Sequence, residues 1–354
     1  MRIYLSALVV AFGFSAFAGA ALAANPAGAV LSATVINPGA PYPECHAATI
    51  VELAPGRLAA AWFGGTKERH PDVGIWFARH EGGAWQPAVE VAHGVQPSGP
   101  RLPTWNPVLF QPAQGSLHLF YKVGPSPSQW WGMVIMSADG GKTWGAPRRL
   151  PDGILGPVKN KPVVLRDGAW LSASSTEGNR DGWLVHFELS RDAGTKWSKI
   201  GPVAKGPGLD AIQPSILMHG EGALQALART KQGVVGQTWS RDNGKTWSPL
   251  TATELPNPNS GTDAVTLADG RHLIVYNHSA HRAAEAKGDR FPLDVAVSVD
   301  GLKWQHVLTL ETAPVVSGYA YPAVIQADDG RIHVTYTSGR KIIKHVILDP
   351  QQLR

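Results

Sequence analysis

Ser240-Arg241-Asp242-Asn243-Gly244-Lys245-Thr246-Trp247 is one copy of an octet that recurs along the chain. It returns as Ser137-Ala138-Asp139-Gly140-Gly141-Lys142-Thr143-Trp144 and as Ser190-Arg191-Asp192-Ala193-Gly194-Thr195-Lys196-Trp197. A shortened copy runs from Ser298 to Trp304, and a worn copy from Arg79 to Trp85. Each copy is a turn. The Asp carboxylate accepts backbone N–H groups, Gly supplies positive φ, and Trp folds back as an apolar plug. A calcium loop is excluded, because the other carboxylates such a loop needs are absent.

Out of phase with the octets lies a second repeat, an apolar strand, a tight turn and another apolar strand. Its turn glycines are Gly56, Gly115, Gly168, Gly222, Gly270 and Gly330. Such text signals a hairpin. In the first five units a third strand leads into the octet and a fourth follows it. Four antiparallel strands per repeat of about 50 residues are the grammar of a propeller blade. The fold expected is therefore all-β, a six-bladed β-propeller. The sixth unit has a third strand, Ile342 to Leu348, but no octet. An orphan strand from Val30 to Ile36 is expected to supply its fourth, which would leave no open edge between first and last blade. An open solenoid is the alternative, and its terminal repeats should look like caps.

Composition agrees with a turn-rich β protein. The 354 residues are 44% hydrophobic and 17% charged, with 39 Gly, 28 Pro and 13 Trp against 4 Met. Coiled-coil, collagen and disordered classes are excluded. The net charge of +5 comes without a Lys/Arg run, so no nucleic-acid partner is expected. A mildly basic surface suits anionic ligands. Residues 1–23 read as a cleaved secretory signal peptide, with Arg2, an apolar run and Ala21-Leu22-Ala23 as the cleavage site. An uncleaved membrane anchor is the alternative. The expectation is a secreted or periplasmic monomer over 24–354, one domain, with no stable membrane insertion. The single Cys45 allows no intrachain disulfide, and the domain is large enough to rest on its own core.

In a propeller the first strand of each blade lines the central channel. Aligning the units places His46, Asn106, Lys161, Gln213, Asp263 and Tyr321 just before each first strand. Four of these are followed by Pro, which suits a strand start. All six are polar, as solvated strand ends facing a wet channel would be, or as convergent groups of a site. A second column, seven residues after each turn glycine, returns to the same mouth: Phe63, Lys122, Ser175, Arg229, Asn277 and Thr337. Inter-blade loops add Asp72, Glu177, Asp181 and Arg290. Cations with a few carboxylates and a Tyr suggest a small carboxylated ligand. No His/Cys spacing suggests zinc, and no phosphate loop or nucleophile elbow appears, so neither metal nor cofactor is expected. His70, His278 and His281 read as loop histidines.

The octets resemble the Asp-box repeats of the sialidase (neuraminidase) superfamily, and the whole mature chain looks like a divergent member of its BNR-repeat branch. That resemblance implies a Tyr nucleophile paired with a Glu, an Asp acid/base and three Arg on the substrate carboxylate, outside the two-carboxylate pattern of most glycosidases. Tyr321 matches the nucleophile, Asp72 the acid/base, Arg229 the second Arg and Arg290 the third. Two parts differ. Cys45-His46-Ala47 stands where the first Arg is expected, and Ile212-Gln213-Pro214 where the Glu is expected. Gln213 cannot take a proton. Glu177 or Glu44 is the replacement partner to look for, and Arg69 or Arg340 the replacement cation. The function this implies is an exo-acting hydrolase of a glycan ending in a sialic-acid-like, 2-keto-3-deoxy sugar. A lyase acting on uronate glycans, with His46 or Tyr321 as base, and a non-catalytic binding propeller are the alternatives.

Overall fold

The computed structural model describes residues 28–178, 181–281 and 285–354. The proposed leader at 1–23 lies outside the described residues. Among the described residues the chain forms six antiparallel sheets around one axis, five of four strands and one of five. Blade 1 is Glu44–Ala54, Arg57–Gly65 and Gly74–Glu81, with the short outer strands Ala84–Trp85 and Val89–Ala92. Blade 2 begins with Thr104–Phe110, blade 3 with Val163–Val164, blade 4 with Ala211–Met218, blade 5 with Asp263–Thr266 and blade 6 with Tyr319–Gln326. Val30–Val35 pairs antiparallel with Ile342–Leu348, so the N-terminal strand completes blade 6 as expected. Apart from strands there are only two short 3₁₀ turns among the described residues, Gly220–Gly222 and Pro350–Gln352. No helix among the described residues is long and apolar enough to cross a membrane.

The octets do form turns, and their chemistry repeats. In blade 4 the Asp242 carboxylate accepts the Thr246 amide at 2.9 Å and the Thr246 hydroxyl at 2.6 Å, and Ser240 Oγ donates to it at 2.8 Å. Asp139 is held in the same way in blade 2. The tryptophans then do more than plug their own turn, because each packs on the blade before it. Trp247 stacks on Phe187 of blade 3 at 3.8 Å, and Trp144 meets Phe77 of blade 1 edge-on at 5.2 Å. Trp197 approaches Phe120 of blade 2 at 6.0 Å. Gly141 is obligatory here: φ is +84°, and a Cβ would lie 2.3 Å from the Phe77 ring.

The worn copy in blade 1 carries the same lock across the closing seam. Trp85 reaches blade 6, where its indole N–H donates to His345 Nδ1 at 3.2 Å. That bond requires Nδ1 to be unprotonated, so Nε2–H of His345 donates to Nδ1 of His333 at 3.0 Å. Burial, with His333 and His80 alongside, pushes His345 down to about 3. Burial likewise pushes His333 down to about 4.

These folded-state values lie below the ordinary histidine value, so the unfolded chain holds more protons between them. Stability must therefore fall as pH drops from about 6.5 toward 4. Chemical denaturation at pH 7 and pH 4 should show a loss of about 3 kcal/mol for each of the two histidines, roughly 6 kcal/mol together. His345→Gln, which keeps an acceptor for Trp85, should reduce that loss. Parallel stability–pH curves for the two proteins would contradict the assignment.

Candidate functional site

The site begins with a break in the innermost strands. In blades 1, 2, 4 and 6 the pairing of first and second strand skips: between His46 and Thr49, Trp105 and Val108, Ile212 and Ser215, and Ala320 and Ala323. At each skip one non-glycine residue has left-handed φ: Ala47 at +58°, Asn106 at +40°, Gln213 at +57° and Tyr321 at +53°. Each stands nine residues before its turn glycine. The same count in blades 3 and 5 reaches Lys159 and Gly261. Such bulges turn a side chain out of the ladder and are strained for residues with a Cβ.

This register corrects the first column in three places. His46 precedes the bulge in blade 1, although it remains beside the site. Lys161 and Asp263 lie two residues beyond it, in the layer beneath. There Asp263 is fully committed. Its carboxylate accepts Lys161 Nζ at 3.0 Å, Ser215 Oγ at 2.9 Å and the amides of Ala264 and Val324 at 2.9 Å each. The pair ties blades 3 to 6 together, and the carboxylate, with four donors on it, has no lone pair left for a ligand. Lys159, which the alignment missed, takes the central position. Its Nζ donates to Asn160 Oδ1 at 2.7 Å, the Thr262 carbonyl at 2.9 Å and the Pro322 carbonyl at 2.7 Å. A Cβ on Gly261 would lie 2.8 Å from Lys159 Cε. Burial pushes the Lys159 ammonium down to about 7.

The second column proves to be mostly stitching between blades. Lys122 is wholly buried and donates to the Pro157 carbonyl at the start of blade 3. Burial pushes it down to about 7. With its side chain wholly buried and its ammonium spent on that carbonyl, the substrate contact expected of it has no opening here. Ser175 Oγ accepts the Gln213 amide at 3.1 Å, and Asn277 donates to the Tyr319 carbonyl at 3.1 Å. Arg229 makes the same kind of bond, from Nε to Asn259 Oδ1 at 2.7 Å, but also reaches inward.

At the centre, Arg229 Nη1 donates to the Tyr321 hydroxyl at 3.0 Å, and Gln213 Nε2 donates to it at 3.1 Å. Arg229 lies over the Trp183 ring at 5.1 Å, and Lys231 does so at 4.6 Å. Arg290 and Lys159 lie over the Tyr321 ring, at 5.8 and 5.6 Å from its centroid. His46 packs on Tyr321 at 4.3 Å between ring centroids. Both of its ring nitrogens are buried without a partner. Burial and the charges of Arg340, Arg290, Arg229 and Lys159 hold it neutral, well below its ordinary value. No carboxylate bonds to the Tyr321 hydroxyl among the described residues.

Arg290 has no side-chain hydrogen bond among the described residues. Burial and neighbouring Arg229 push its guanidinium down to about 10, with Arg340 adding to the effect. Arg340, on the turn after Ser338, pairs with Glu68 of the blade 1 loop. Of the two replacement cations, it is Arg340 that joins Arg290; Arg69 is exposed on its loop. Glu177 ends its strand close enough to feel Arg229, and burial raises its carboxyl above the usual range. Glu44 starts the blade 1 inner strand, and none of its described contacts is to Tyr321. Asn106 is buried at the bulge with its amide uncommitted. Asp72 is half-exposed on the blade 1 loop. Partial burial pulls its carboxyl up, but bonds from Thr66 and His70 outweigh this and lower it. The Thr66 hydroxyl donates to Asp72 at 2.6 Å, and His70 Nδ1 lies 2.7 Å from it. No group of three His, Cys, Asp or Glu fit to hold a metal is found among the described residues.

Arg229, Arg290 and Lys159 thus crowd one tyrosine, and among the described residues no carboxylate is bonded to any of them. Such a cluster stores repulsion that an anion would relieve. Arg290→Met should raise stability by on the order of 1 kcal/mol at low ionic strength, because it removes repulsion rather than a bonded partner. Thermal denaturation in low and high salt checks this. A lowered midpoint in both would mean that Arg290 is structurally paired.

Comparison with known proteins gives one fold and one family. The profile of the BNR repeat-like domain matches residues 56–334. A protein of unknown function from Dyadobacter fermentans superposes with a TM-score of 0.74 at 18% identity, covering 90% of this chain and 98% of that one. A Hadza microbial sialidase gives 0.75 at 15% identity, with 91% and 69% covered. The intramolecular trans-sialidase of Ruminococcus gnavus, solved with oseltamivir carboxylate, gives 0.70 at 15%, with 92% and 99% covered. Comparison with curated proteins finds none that matches.

Proposed function

Given that the chain belongs to the BNR repeat-like domain family, and that its propeller is of the sialidase-like kind, we propose that it is an exported, exo-acting glycoside hydrolase of terminal acidic sugars. The observation that carries this is the group of unpaired guanidinium charge beside Tyr321. Arg binds carboxylate through two parallel N–H donors, and Arg229 has a terminal nitrogen left over from its bonds to Tyr321 and Asn259. A 2-keto-3-deoxy acid carries its carboxylate on the anomeric carbon itself. Holding that carboxylate on Arg229 and Arg290 sets the anomeric carbon above the Tyr321 hydroxyl. Trp183 offers an apolar face to the ring.

In this reading the bond from anomeric carbon to leaving oxygen breaks as the Tyr321 oxygen stabilises the developing cation. The His70–Asp72 pair hands a proton to the departing oxygen. A water then adds to the anomeric carbon and returns its proton to the pair. Gln213 orients the Tyr321 hydroxyl but cannot accept its proton, so the hydroxyl lacks the base that would make it a strong nucleophile.

Hydrolysis of an aryl sialoside tests this. Arg229→Ala and Tyr321→Phe should each lower kcat/KM about 100-fold or more. Gln213→Glu, which sets a carboxylate beside the hydroxyl, should raise it. Full activity in Tyr321→Phe would contradict the assignment. A second reading rests on His46, whose neutral, unpartnered imidazole lies against Tyr321 among the cations. Those groups suit proton abstraction next to a neutralised uronate carboxylate, and an ultraviolet-absorbing unsaturated product would identify that lyase chemistry. Carboxylate-dependent binding without turnover would identify a binding module.

A further inference from the structure

Beside the centre lies a cavity of about 460 Å³, between the loop leading into the third strand of blade 5 and the crossover into blade 6. Lys287, Arg290 and Arg340 line it with positive charge; among the described residues Asp289 is the carboxylate that lines it. Phe291, Pro314 and Val315 form an apolar wall. At its lip Val315 and Val316 are 38% and 89% exposed among the described residues, an apolar pair open to a ligand. Arg290 belongs to both places: it lies over the Tyr321 ring at 5.8 Å and lines this cavity. The backbone there is tightly tied, with the Tyr319 amide donating to the Arg290 carbonyl at 2.8 Å and the Gly339 amide to the Gly318 carbonyl at 2.9 Å. A cavity with a cationic side, an apolar side and a shared guanidinium has the chemistry of a sugar subsite. The apolar wall suits the C–H face of a pyranose, and the cations suit a carboxylate.

We propose that this cavity is a second saccharide subsite, for an acidic sugar next to the one at Tyr321. The substrate class is then an oligosaccharide with neighbouring acidic residues rather than a single acidic cap on a neutral glycan. This rests on the reading of the Tyr321 site as an acidic-sugar site. A volume of about 460 Å³ is in the range of small-ligand pockets and admits one further monosaccharide. Lys287 and Arg340 would hold its carboxylate, with Glu68 giving up its pairing to Arg340 as the ligand arrives.

Calorimetric titration of the full chain tests it, with sialic acid, its α2,8-linked dimer and a dimer of sialic acid linked to neutral galactose as probes. The acidic dimer should bind at least tenfold more tightly than the monomer, and the galactose-linked dimer should not. Lys287→Ala and Val315→Asp should each cut the ratio of acidic-dimer to monomer affinity at least fivefold. Both positions are exposed at the cavity, so the variants should fold. A ratio near one in the wild type, or a ratio unchanged in both variants, overturns the second subsite while the Tyr321 reading stands. Failure of the monomer and of both dimers to bind overturns that reading and this one together.

Discussion

The site exists because four inner strands leave their ladders at the same count from their hairpins. Each break puts a residue with a Cβ into left-handed φ, a conformation that costs of order 1–3 kcal/mol. In a regular ladder those side chains would alternate into the packing between blades. The bulge instead points Tyr321 and Gln213 toward the axis, where both meet Arg229 from the neighbouring strand. The strain is offset by what surrounds it. Lys159 donates to the Pro322 carbonyl, one residue after Tyr321, and Ser175 accepts the Gln213 amide.

Outward from the axis, the ring is closed by repetition of one device. An octet turn holds its tryptophan against the aromatic core of the blade before it, and Trp85 passes the contact across the seam to His345. The N-terminal strand adds the last edge. A rigid ring then allows like charges to be held close at its centre, an arrangement that in isolation would splay apart. Fold and site are coupled in this sense: the apolar locks at the rim sustain the cationic cluster in the middle.

Much of this could be read from residues alone. Six turn glycines and five octets determine six blades, and a sixth unit without an octet required a strand from elsewhere. The convergence of Tyr321, Arg229 and Arg290 followed from the superfamily resemblance. The phase within blades 1, 3 and 5 did not follow, and the reason is physical. Alignment on the strand-start proline equates Pro162 with Pro107, Pro214 and Pro322, yet Pro162 lies two residues closer to its turn glycine, just before an inner strand of only two residues, Val163–Val164, whereas Pro107 lies within Thr104–Phe110. Counting nine residues back from Gly168 reaches Lys159 instead. Lys122 misled for a different reason: a long cation can be spent on a backbone carbonyl of the next blade, and its place in a column does not reveal that. Glu68 and Trp183 come from a loop and a strand end of separate blades, and their approach to the centre leaves no local sequence signal, whereas Arg340 was one of two cations the missing Arg pointed to.

The central claim is that an acidic sugar lodges its carboxylate among the unpaired guanidinium groups at Tyr321. A crystal structure of the protein with sialic acid tests this most directly. The account predicts carboxylate oxygens within hydrogen-bond reach of both Arg229 and Arg290, with the sugar ring over the Tyr321 hydroxyl. Sugar density on the outer rim alone, or a carboxylate turned to solvent away from both arginines, would contradict it.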